Sequence, residues 1–334
     1  MRCSLSAVVV GAVALALAAQ VARTTETDQF LAWTVELADS ADALDTYVNE
    51  ELQAVLLRVR GKKTGCEDVT KRFFRHIFPS MSHPRIRRDL LRDFEIDRFP
   101  NGDVGYFEYL RTSVYRRPAF PYIMPMARTW EINGVRLGGD KIGHMLGHGR
   151  YYYGRYLRAR ADGFGVEEAM EKVVRWGVGM ESKIVGGMVD GVFSHADLEA
   201  NFQGLRVAIS FCEGDAPLLA QLDGVWTQTR RLEFSSYVNP GFDESYNNSY
   251  YANFRWKRVQ PVLMDEYCQL LHDERVQRRF ARYREIDAPS FSRRLIQREY
   301  EDQGRFRRHE QFVETICYGQ EGMEVAKRAP STGP

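Results

Sequence analysis

The sequence predicts a mainly α protein, a multi-helix single domain with a small β-hairpin placed before a central three-helix unit. Apolar residues recur three and four apart along much of the chain, which is helical periodicity. Three glycine-bounded helical segments, 140–159, 166–189 and 196–212, follow one another through short connections, so consecutive helices pack as neighbours. Between residues 130 and 137, apolar and polar positions alternate around Asn133-Gly134, the strongest short hairpin signal.

Taken in order, residues 30–60 carry an apolar stripe through Leu44, Val48, Leu52, Val55 and Val59, closed by Gly61, and form one helix or two. Short helices are expected at 67–77 and 84–94, their Arg/Lys excess forming a solvated face. Residues 95–126, with Pro100, Pro118, Pro121 and Pro125 among aromatics, are expected to be irregular. The hairpin and the three-helix unit (140–212) follow. Beyond Gly224 the chain turns loop-like, rich in Asn, Tyr and Ser over 237–251, and helices resume at 261–271, 274–284 and 290–302. Residues 326–334 form a disordered tail. With no linker or internal repeat visible, 23–325 is taken as one helical domain.

The 334 residues are 44% hydrophobic and 27% charged, which excludes disordered, collagenous and coiled-coil classes. A formal net charge of +1 gives no basic footprint for nucleic acid. Arg2, an apolar run over 7–19 and a polar stretch from Arg23 have the order of a secretory signal peptide, taken as residues 1–22. The run is short for a bilayer-spanning helix, and no later segment is long and apolar enough, so the mature chain is expected to lack a transmembrane segment and to be periplasmic or secreted. Removal of Cys3 with the signal leaves Cys66, Cys212, Cys268 and Cys317, an even number in an oxidising compartment; two bridges fit, in any of three connectivities.

Candidate chemistry comes from polar residues on core-facing positions. Asp140, His144 and His148 follow each other four apart on the first helix of the triplet and project from one side. Glu181 falls within the apolar stripe of the second. Asn201 lies on the side of Leu198, Phe202 and Leu205 on the third, in line with Asp197 and Gly204. A carboxylate in such a place needs a partner. Caps explain some of these residues singly: Asp140 follows two glycines, and Ser194 to Asp197 fits a capping box. A salt bridge from Glu181 to Lys141 or Lys183 is a further alternative. The glycines scattered through the three helices each cost about 1 kcal/mol relative to alanine and point to close helix approach.

His144-x-x-x-His148 has the i, i+4 spacing of two metal ligands without the Glu of a zincin helix. With Asp197 or Glu181 it makes a three-ligand site for a divalent ion, Zn or Mn.

The order Asp140-Lys141-x-x-His144, then Glu181, then Asp197-x-x-x-Asn201-x-x-Gly204 resembles the pattern of VanZ-like proteins over residues 140–204. The resemblance implies that His144, Glu181, Asp197 and Asn201 form one cluster, with Asp140 and Lys141 beside it, and that the setting is the cell envelope. It supplies a site rather than a reaction, since VanZ-like proteins are associated with glycopeptide-antibiotic tolerance without a settled activity. VanZ-like helices span membranes, whereas the second helix here carries Glu167, Glu168, Glu171, Lys172 and Arg175; His148 is also extra to the pattern. Residues 133–204 also look like a set of uncharacterised secreted bacterial proteins.

The sequence therefore predicts a secreted or periplasmic helical envelope protein whose buried polar cluster binds an envelope-derived ligand or a metal, without assigned turnover. One rival is a metal-assisted hydrolase of envelope lipid or glycan. In it His144, His148 and Asp197 hold the ion, Glu181 is the general base and Asn201 orients substrate. The other is a purely structural envelope protein in which the cluster fixes helix register.

Overall fold

The structure, a computed structural model, describes residues 26–79, 96–117, 126–182, 191–301 and Cys317. The signal segment, the expected helix at 84–94 and the tail lie outside the described residues. The protein is mainly α, with short two-stranded pairings at its joints.

The first described strand, β1 (Glu26–Thr27), is buried and pairs in parallel with β2 (Met126–Ala127). Helix α1 (Ala41–Val59) buries the predicted stripe of Leu44, Val48, Leu52 and Val59, and Gly61, at φ 72°, turns the chain beyond it. Helix α2 (Cys66–Ile77) packs Val69, Phe73, Phe74 and Ile77 into the same core. A short helix, α3 (Tyr106–Thr112), lies in the stretch expected to be irregular. Seven residues are too few to show a periodic pattern, and the only one of them buried is Tyr109, whose hydroxyl donates to Ala127 O at 2.8 Å.

β3 (Thr129–Ile132) and β4 (Val135–Gly138) form the expected antiparallel hairpin. Asn133 (φ 53°) and Gly134 (φ 72°) both occupy the left-handed region that a tight primed turn requires. The chain then enters a continuous rod made of α4 (Gly139–Gly143), a single π turn (His144–His148) and α5 (Gly149–Ala161). π turns inside α-helices are frequent at functional sites. Helix α6 (Val166–Met180) follows. Its expected continuation to 189 is described only as far as Ser182.

β5 (Val192–Phe193) leads into α7 (His195–Ser210), on which every residue from His195 to Leu205 is buried. The packing is closest where α7 crosses the rod. A Cβ built on Gly204 would lie 2.0 Å from Met145 O, and one on Gly149 would lie 2.8 Å from Gly204 Cα. Backbone therefore rests on backbone, and the glycine content of this crossing is explained by that contact.

A second hairpin, β6 (Leu219–Leu222) and β7 (Val225–Gln228), replaces the loop expected after Gly224. Its turn is Asp223-Gly224, both with positive φ, the same signal as the first hairpin on a strand pair with little apolar alternation. β8 (Tyr250–Tyr251) pairs with β5, so the polar stretch before it is drawn into the interior rather than looping outside. Helix α8 (Asn253–Val262) starts ahead of the expected 261 and carries Pro261 inside it. Helices α9 (Glu274–Ile286) and α10 (Phe291–Ile296) complete the described chain, apart from a closing π turn. Cysteines pair at disulfide distance as Cys66–Cys212 and Cys268–Cys317, with Cα separations of 5.9 and 5.1 Å. Among the described residues no helix is long and apolar enough to cross a membrane.

Candidate metal centre

Four parts of the chain converge on Lys141, whose side chain is fully buried: α4, the start of α7, the segment before β8, and β1. Its ammonium donates to Asp140 Oδ2 at 2.7 Å, Asp197 Oδ1 at 2.6 Å and Glu244 Oε1 at 2.5 Å. Each carboxylate is positioned by a further bond. Thr27 Oγ1 donates to Asp140 Oδ1 at 2.6 Å. Ser194, the N-cap of α7, accepts the Asp197 N–H at 3.1 Å and donates its hydroxyl to Glu244 Oε1 at 2.9 Å. The Glu244 N–H donates to Gln29 Oε1 at 2.6 Å. The cap that sequence offers as the bland account of residues 194–197 is therefore real, and its hydroxyl also builds the site.

Three carboxylates around one ammonium leave an excess of buried negative charge. Burial pushes Asp197 up to about 6 and Glu244 up to about 7, with Lys141 opposing both shifts. Burial acts the same way on Asp140, but Lys141 and His144 outweigh it and hold that carboxyl below its ordinary value. Burial pulls Lys141 down, and the surrounding carboxylates more than reverse this, keeping it charged.

His144, in the π turn, places Nε2 3.2 Å from Asp197 Oδ2 and Nδ1 3.1 Å from Asn201 Oδ1. Burial first, then the neighbouring Lys141, pulls its pKa down to about 4, so the ring is neutral at neutral pH and carries one N–H. In the Nδ1–H tautomer that proton is donated to Asn201 Oδ1 and Nε2 is left with a lone pair for an ion; in the Nε2–H tautomer the ring donates to Asp197 Oδ2. Asp140, His144 and Asp197 each offer a ligand atom within 4.8 Å of the others, a set of two oxygens and one imidazole nitrogen that suits Zn or Mn.

The other expected site residues lie around this set. Asn201 is buried and fixes the His144 ring. Glu181 is buried and accepts the Ser194 N–H at 3.2 Å, so it reaches the centre through the cap of α7. His148 is half-buried outside the three-residue set, stacked on His144 with ring centroids 4.8 Å apart. Sequence reasoning missed Glu244, Thr27 and Gln29. Glu244 sits in a segment with no helical period, and Thr27 and Gln29 lie close behind the apolar leader. The one usable signal was a long polar segment without regular structure, which in a compact protein is often functional.

Asp28, next to this strand, is buried, and its carboxylate accepts backbone N–H groups from Val114 at 2.7 Å and Leu31 at 3.2 Å. Burial outweighs those bonds and lifts its pKa to about 7. The unfolded chain releases this proton near pH 4, while the folded chain holds it until about 7, so the contribution of Asp28 to stability falls as pH rises through that window. Urea unfolding at pH 5 and pH 8 is expected to show Asp28→Asn gaining roughly 2–3 kcal/mol relative to the parent over that interval, at 1.36 kcal/mol per pH unit. An unchanged difference would mean that Asp28 is ionised throughout.

The chain matches no protein-family model, and no curated protein or solved structure matches it.

Proposed function

We propose that the protein is an exported helical envelope protein whose buried Asp140–His144–Asp197 centre holds a divalent metal ion, zinc or manganese, without turning over a substrate. One observation carries this reading: Asp140, His144 and Asp197 each offer a buried ligand atom within 4.8 Å of the others, and the second ring nitrogen of His144 lies 3.1 Å from Asn201 Oδ1. Fixing a ligating histidine by bonding its second nitrogen to an oxygen is the usual outer-shell arrangement of metal sites. Burial of Asp140, Lys141, His144 and Asp197 favours an ion over an envelope lipid or glycan, which would need an open approach. It also weighs against the hydrolase reading, as does the bond from Ser194 N–H that engages Glu181, the base in that scheme.

Export is supported by the signal-like order of the first 22 residues and by the two cysteine pairs at disulfide distance. The VanZ-like pattern adds an envelope setting and includes Asp140, His144 and Asp197.

Elemental analysis of untagged, natively exported protein tests the proposal. One zinc or manganese per chain is expected; Asp197→Asn should lose it, and Glu181→Gln, which alters no member of the ligand set, should keep it. Metal-free protein that takes up neither ion on calorimetric titration would reject the centre and leave the cluster as a register-fixing ionic core.

A further inference from the structure

The Cys66–Cys212 pair joins the first residue of α2 to the residue two beyond the end of α7. Unlike the core behind it, this bridge is only partly buried. Both cysteines are partly buried and line a surface recess of about 780 Å³, with Gly65, Glu67, Leu157 and Arg160 among its other walls. Immediately behind it, Phe73, Phe74 and Phe211 are fully buried and in mutual contact, with Phe73 and Phe211 centroids 5.1 Å apart. The bridge is therefore a tether laid over a contact that hydrophobic packing holds by itself.

From this arrangement we infer that Cys66–Cys212 is a reversible thiol–disulfide exchange site, opened in the folded protein by a dithiol reductant that enters the recess. A thiolate of the reductant attacks Cys212 Sγ, forming a mixed disulfide and expelling Cys66 as a thiolate. The second thiol of the reductant, after losing its proton, attacks its own sulfur in the mixed disulfide and expels Cys212. The two protons given up by the reductant are taken up by Cys66 and Cys212. The protein disulfide has gained two electrons, and the dithiol has become a disulfide. Cys66 is the better leaving group because it opens a twelve-residue helix, whose unsatisfied N–H groups favour an anion there. The Thr70 hydroxyl, which donates to Cys66 O at 3.0 Å, lies 3.3 Å from the Cys212 sulfur. The phenylalanine contact keeps the two thiols close, so the same pair re-forms on oxidation.

The experiment uses full-length oxidised protein in native buffer, dithiothreitol as probe, and timed alkylation with peptide mass spectrometry. Labelling of Cys66 and Cys212 should rise in proportion to dithiothreitol concentration, at a rate at least roughly tenfold above global unfolding, with the far-ultraviolet circular dichroism unchanged. With glutathione in place of the dithiol, the trapped mixed disulfide should be on Cys212, and removing the reductant should restore the same pair. Reduction that waits on global unfolding, a trapped adduct on Cys66, or reoxidation to a different pairing would each overturn the proposal.

Discussion

Lys141→Ala is expected to lower stability by ~3–5 kcal/mol, the cost of leaving buried charges without their counter-ion. The ammonium is the shared donor of Asp140, Asp197 and Glu244, all buried. Lys141→Met keeps most of the volume and none of the charge, and should lose nearly as much, which separates lost charge from an opened cavity. Neutralising the acids in that background, with Asp197→Asn and Glu244→Gln, should recover much of the loss. Lys71→Ala is the control, because its 3.7 Å pair with Glu67 is solvent-exposed and contributes ~0–1 kcal/mol. Urea unfolding of the four proteins decides the matter. A Lys141→Ala protein as stable as Lys71→Ala would show that the acids are protonated or solvated and that no ionic core exists.

Gly204→Ala carries the second large effect. In an ordinary helix interior the change would stabilise by about 1 kcal/mol. Here the new methyl would meet Met145 O at 2.0 Å, a backbone atom that cannot rotate away, so α7 and the rod must separate. Overpacking of that kind costs ~1–3 kcal/mol or more, and the net change should be a clear loss. Gly154→Ala in α5, where nothing lies within 4 Å of the added carbon, should instead gain about 0.5–1 kcal/mol. Opposite signs from one substitution type on neighbouring helices would establish the crossing. Equal signs would dismiss it.

Much of the helical framework and part of the site were legible in the sequence, for identifiable reasons. Stripes such as Leu44 to Val59 face one core, and a one-sided burial leaves a period. Asp140, His144, Asp197 and Asn201 were legible because fourfold spacing on a helix fixes a common side whatever the tertiary structure. The reason for their burial was not. α7 has no solvent side over 195–205, so Asn201 is interior because the whole helix is interior, and Glu199 and Gln203 are buried beside it with their own partners. Glu244 was invisible because its position is set by a strand pairing, Val192 with Tyr251, between segments far apart in the chain. The π turn was invisible too, since it arises from how the rod is packed rather than from a residue signature.

The strand at Glu26–Thr27 sets an order of events for a chain made from its N-terminus. Thr27 bonds to Asp140, 113 positions later, and Gln29 to Glu244, 215 positions later. Thr27 and Gln29 must therefore stay without these partners until Asp140 and Glu244 have emerged. No truncated nascent chain ending before Glu244 can complete the ring of carboxylates on Lys141, and closure of this core follows the synthesis of Glu244. Anything that engages the emerging N-terminal strand competes with the finished interior for the same donors and acceptors.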